Sequence, residues 1–106
     1  MQEMMKGGEA HFHNVVNLIQ RVKDRGCKIV FLRLPSTGGV RELERQGAPR
    51  ERVWDPLLQL TQSPGIHFED YEELAHFQCP EWSHLSNEDS IEFTKRLIPH
   101  LKTSLE

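Results

Sequence analysis

Near the end of a chain of 106 residues, Glu81-Trp82-Ser83-His84 sets a carboxylate three positions ahead of an imidazole. On a loop, that spacing lets the carboxylate reach Nδ1 of the ring. The ring then holds its proton at Nδ1 and presents Nε2 as a free acceptor for a serine hydroxyl proton. Such a pair is the base half of a nucleophilic triad. Alone it has no nucleophile to activate and no donors for an oxyanion. Ser36 is the one rival nucleophile, because the apolar run Ile29-Val30-Phe31-Leu32 leads toward Ser36-Thr37-Gly38-Gly39. Against it stand Pro35 directly before the serine, the lack of a Gly-Asp pair, and a short separation from His84. The separation is too small for the strands and helices that lie between nucleophile and base in a serine hydrolase core. Ser36 is therefore not assigned the role.

The other reactive side chains carry weaker signals. His11 and His13 are two apart on a predicted helix and face different directions, and His67, His76 and His100 have no ligand spacing. Cys27 and Cys79 are far apart and belong to no Cys-x-x-Cys pair, so both are expected to be buried free thiols. Neither a metal nor a cofactor is expected. Glu69 and Asp70 should be solvated acids at a strand end, and Arg33 should pair with an acid.

The elements that must position Glu81 and His84 follow from hydrophobic spacing. After a loose start ending in Gly7-Gly8, Phe12, Val15, Val16, Ile19 and Val22 recur on one helical face, and Gly26 supplies a stop. Residues 27–34 are nearly all apolar, as in a parallel strand buried on both faces. Pro35 to Gly39 form a turn at its C-terminal end, where open α/β sheets place ligand sites. Val40 to Gln46 predict a short helix, and a second helical stretch carries Val53, Trp54, Leu57 and Leu60. Residues 66–71 alternate as a second strand, and Glu72 to Phe77 predict a helical turn. Ser86, with Asp89 three residues on, caps a last helix whose buried stripe is Ile91, Leu97, Ile98, Leu101 and Leu105; Pro99 should kink it.

Composition places these elements in a single α/β domain spanning 1–106. With 37% apolar and 27% charged residues the chain is of globular type. A net charge of −3 with mixed signs excludes the basic stripe that nucleic-acid binding requires, and no apolar run is long enough to span a bilayer. There is no export signal pattern at Met1-Gln2-Glu3, and the compartment is left open. The starting Met and final Leu105-Glu106 also suit a segment of a longer protein. Two parallel strands leave two open edges, so further chain or a second protomer should complete the sheet.

The Glu81-x-x-His84 block and capped helix, preceded by a strand running into Pro35 and a short strand ending in acids, resemble the C-terminal part of the SGNH or GDSL-type hydrolases. The resemblance covers roughly residues 12 to 102. It implies a partial three-layer α/β fold, flavodoxin-like or SGNH-like, with a short parallel sheet flanked by helices. It also implies His84 as general base, Glu81 in place of the family's Asp with one extra methylene, and an ester or acyl substrate. The family's Gly-Asp-Ser, glycine and Gly-x-Asn-Asp blocks are not in these residues, so the chain alone should not hydrolyse esters. The alternative expectation is a non-catalytic α/β module that forms a homodimer through its open sheet edges. A weaker one is a small-ligand binder at the Pro35 to Gly39 loop.

Overall fold

The computed structural model describes residues 2–106, with side chains from Ala10 onward. Its elements in chain order are α1 (Gln2–Asp24), β1 (Phe31–Arg33), α2 (Gly38–Gly47), α3 (Trp54–Thr61), β2 (Gly65–His67), a 3₁₀ turn (Phe68–Asp70), α4 (Glu72–Ala75) and α5 (Asn87–Leu105). β1 and β2 pair in parallel, with Phe31 opposite Gly65, Leu32 opposite Ile66 and Arg33 opposite His67. The result is an α/β fold, as the sequence predicts, built on a two-stranded sheet.

Side-chain alternation divides the sheet into two faces. Ile66 points to the side covered by α5, where it joins Phe68, Leu74, Phe77, Phe93 and Leu97 in the buried core. Phe77 and Phe93 meet edge to face, with ring centroids 5.7 Å apart. Gly65 lies on the other face, against α3. A Cβ there would stand 2.7 Å from Leu58 and from Trp54, so only glycine lets the helix come this close. Two lysines tie helix ends: Lys23 Nζ donates to the carbonyls of Thr61 and Gln62 closing α3, and Lys28 Nζ to that of Leu105 closing α5. Each places a cation where the helix dipole is negative.

The structure departs from the sequence-based expectations at several elements. α1 begins upstream of Gly7-Gly8, where the sequence predicts a loose start. β1 covers only three of the eight residues 27–34, because it has one neighbour and β2 is itself three residues long. Leu32 and Leu34 are accordingly exposed, not covered on both faces, and Cys27, upstream of the strand, is exposed while Cys79 is buried. β2 ends at His67 because the chain turns into the 3₁₀ segment, with the His67 ring accepting the Glu69 N–H. The inward face of α5 is Phe93, Leu97 and Leu101 at steps of four; Ile91, Ile98 and Leu105, one heptad apart, face outward. The helix continues through Pro99, which lies on its exposed side. Ser86 caps it as predicted, its Oγ accepting the Asp89 N–H at 3.1 Å.

The unit is open for its length. Its radius of gyration is 15.3 Å, against about 13 Å for a compact chain of this size. Its accessible surface is 7844 Å², whereas a monomer of 12.4 kDa should show about 6,100 Å². The surplus is about twice the roughly 800 Å² that one partner contributes to a standard protein interface. Leu18, Val22, Leu32, Leu34, Ile91 and Ile98 all contribute apolar area to it.

Candidate active site

The loop from Cys79 to Leu85 is held against the turn that follows β1. Thr37 does most of this work. Its N–H donates to the Trp82 carbonyl at 2.8 Å, and its Oγ1 accepts the Cys79 N–H at 3.1 Å. The Cys79 thiol points at the Pro35 carbonyl, and burial pushes its pKa up, so it stays a protonated donor. Trp82 then lays its indole over Gly38 and Gly39.

This contact demands unusual backbone on both sides. Trp82 has φ +68 and Gly38 φ +59, both in the left-handed region. A tryptophan there is unfavourable and persists because three local contacts fix it: the Thr37 N–H on its carbonyl, its own N–H on the Cys79 carbonyl at 2.9 Å, and the indole on the glycines. A Cβ on Gly38 would sit 2.5 Å from the indole Nε1. Gly38→Ala is therefore expected to lower stability by about 1–2 kcal/mol and to free the Cys79–Leu85 loop. Hydrogen exchange at Thr37 and Trp82 checks this, since both amides should lose protection while the α5 amides keep theirs.

With the loop pinned, Glu81 and His84 stand side by side. Glu81 Oε1 lies 2.7 Å from His84 Nδ1, and Ser83 Oγ lies 2.9 Å from the same nitrogen. An ionised carboxylate has no proton to give, so a contact this short needs the proton on Nδ1. Ser83 then acts as a second acceptor, and Nε2 is left as the free lone pair. Both partners are open to solvent, with His84 76% and Glu81 68% exposed. The pair adds little stability at such exposure, about 0–1 kcal/mol. Its consequence is the tautomer.

His84 borders a shallow cavity of about 260 Å³ with Leu34 and Pro35, which leave the C-terminal end of β1, and with Phe93 and Thr94 of α5. The ring thus lies at the C-terminal rim of the sheet, beside a mostly apolar wall. Ser36 is not part of that lining. It is buried, and its hydroxyl donates to Glu44, which also takes the Arg33 guanidinium. The structure therefore brings Glu81 and His84 together and directs Ser36 elsewhere. His11, His13 and His76 are exposed, and His100 Nε2 is 2.6 Å from Glu73. No group of three metal-ligating side chains occurs among the described residues.

Glu69 and Asp70 are not simple solvated acids. Glu69 takes Arg41 and Arg45, and Asp70 takes both terminal nitrogens of Arg50. Between them His67 is 3% exposed, with Trp54 edge-on to its ring and Phe68 stacked on it. Burial, followed by the charge of Arg50, holds its pKa below the ordinary histidine value. A base depressed in this way stays neutral in the fold and takes its proton in the unfolded chain first. Its contribution is complete above the unfolded pKa, about 6.5, and is lost as pH falls below it. The urea midpoint is expected to fall between about pH 7.5 and 5.5, and His67→Asn, which keeps the acceptor for the Glu69 N–H, to flatten that slope.

The docking of Trp82 on Gly38-Gly39 is not among the contacts expected from the sequence. Its signal was present as a glycine pair after the strand and a large aromatic beside the histidine. Comparison of the chain with protein-family models, with curated proteins and with solved structures gives no significant match.

Proposed function

We propose that this chain is the C-terminal segment of an SGNH-like ester or acyl hydrolase domain, with His84 as its general base and Glu81 as the carboxylate that orients it. The observation that carries the reading is the 2.7 Å contact between Glu81 Oε1 and His84 Nδ1 on a pinned loop beside the C-terminal end of β1. It fixes the tautomer in which Nε2 accepts a proton, the chemical requirement for a base acting on a serine. Glutamate in place of aspartate is accommodated because the pair is exposed and the loop turns at Trp82.

In this reading the serine and the oxyanion donors come from residues beyond these 106, and the two strands are the edge of a larger three-layer α/β sheet. The surplus surface and the exposed Leu32 and Leu34 support it, since apolar strand residues of a parallel sheet are normally covered. The test is ester hydrolysis by this chain with and without an SGNH-type segment carrying the Gly-Asp-Ser block. Activity should require both. Turnover by this chain alone, abolished by Ser36→Ala, would overturn the assignment.

The same surplus surface favours a second reading, a non-catalytic module that self-associates through its sheet edges. Sedimentation separates the two. A stable dimer without esterase complementation supports the module, and a monomer that complements supports the hydrolase segment.

A further inference from the structure

On the face of the sheet opposite the core, a second and larger cleft of about 560 Å³ opens beside α2 and α3. It shares no lining residue with the cavity at His84. Arg33 at the end of β1, Arg41 and Arg45 of α2, Arg50 before α3 and His67 at the end of β2 all line it. We propose that this cleft binds a phosphomonoester, with the phosphate on Arg33, Arg41 and His67 and the organic part against Trp54 and Pro49.

The case rests on donors that the protein leaves unused. His67 is almost wholly buried and accepts the Glu69 N–H at Nδ1, so its proton is on Nε2. That nitrogen lies 3.9 Å from Glu69 Oε1, beyond a hydrogen bond, and its side chain borders the cleft. Arg41 Nε is buried with no hydrogen-bond partner among the described residues. Buried N–H groups are normally satisfied, so the orphaned Arg41 Nε, beside a His67 Nε2–H whose contact to Glu69 is too long for a hydrogen bond, calls for an acceptor that enters the cleft. Arg33 and Arg41 each engage a carboxylate through one nitrogen, Nη2, which orients the fork and leaves other N–H groups for a ligand. Arg50 is different. Each of its three nitrogens already donates to Asp70 or Asp55, so it contributes positive charge to the wall and has fewer N–H groups to spare than Arg33 or Arg41.

The carboxylates Glu44, Glu51 and Glu69 line the same cleft, so its charge is close to balanced and an anion gains by directed hydrogen bonds more than by net attraction. Burial first, and then the neighbouring Arg41, lower the Arg33 pKa, while Glu69 opposes the shift. The donors come from β1, α2 and β2, and the three tetrahedrally arranged terminal oxygens of a phosphomonoester suit these directions better than the two coplanar oxygens of a carboxylate. The volume exceeds what a bare phosphate fills. Trp54, with Ala48, Pro49 and Val53 beside it, gives an apolar wall for the rest of the molecule.

Titration of the 106-residue chain with phenyl phosphate, inorganic phosphate and benzoate at constant ionic strength tests the proposal, read by calorimetry and by the His67 ring NMR signals. Phenyl phosphate should bind more tightly than inorganic phosphate, benzoate more weakly than either, and the His67 Nε2–H resonance should shift on binding. Arg41→Lys keeps the charge facing Glu69 but loses the fork, and should weaken phenyl phosphate about tenfold. Arg45→Gln, at an exposed position, should weaken it less. His84→Ala should leave it unchanged, which keeps this site separate from the proposed hydrolase site. No binding by either phosphate, equal binding of benzoate, or an unshifted His67 signal would overturn the proposal.

Discussion

His84→Ala is expected to lower ester hydrolysis by the complemented hydrolase about ten-thousand-fold while leaving the thermal midpoint of the chain unchanged. The two halves of this expectation have separate causes. The ring is 76% exposed and, among the described residues, hydrogen-bonds only to Glu81 and Ser83, so its removal opens no cavity and strands no buried group. Activity depends on a free Nε2 lone pair, which nothing else on the loop supplies. Glu81→Gln retains the length of the side chain but not its charge, and a neutral amide can donate to Nδ1 as well as accept from it. The tautomer is then no longer fixed, and the rate should fall by about 10²–10⁴. Ser83→Ala should leave most of the rate, since the carboxylate alone determines where the ring proton lies. Loss of thermal stability in parallel with rate for His84→Ala would mean that the residue is a structural prop.

Phe93→Ala is expected to have the largest effect on folding, about 3–5 kcal/mol. Phe93 is 3% exposed and lies where α5 meets the sheet and α4, edge-on to Phe77 and beside Ile66 and Leu97. Truncation removes a ring from a core cluster of six buried apolar residues among those described, and the fixed backbones of α5 and β2 cannot close the gap. A chain of this size has about 5–15 kcal/mol in total, so the loss is a large share of it. Ile98→Ala, five residues further along on the outward side of the same helix, should change stability by no more than about 0.5 kcal/mol. Urea unfolding with an unchanged m value checks both. Equal losses at the two positions would mean that the outward face of α5 is covered in solution.

Periodicity located the helices well because an amphipathic face is a local property. Val15, Ile19 and their neighbours, or Leu97 and Leu101, identify a buried side without knowledge of its partner. It failed where the partner decides. Cys27 to Leu34 reads as a fully buried strand, yet with a single three-residue neighbour only Phe31 to Arg33 pairs, and Leu32 and Leu34 stay exposed. On α5 the predicted stripe included Ile91 and Ile98 and passed over Phe93, since spacing alone does not tell which of two apolar lines meets the core. The Glu81 and His84 contact was legible because its reach is three residues. Thr37 fastening the Cys79 loop, and Trp82 covering Gly38, join segments more than forty positions apart, and no spacing rule sees that. The same holds for the arginine cleft, where Arg33, Arg41, Arg50 and His67 come from four separate segments.

Nitrogen NMR of the His84 ring, at a pH well above histidine titration, reads the protonation of each ring nitrogen in the intact chain. A ring protonated at Nδ1 with Nε2 bare, shifting toward the opposite tautomer in Glu81→Gln, is the expected result. A ring protonated at Nε2 and indifferent to that substitution would contradict the account, because an imidazole in that form has no lone pair directed at a serine.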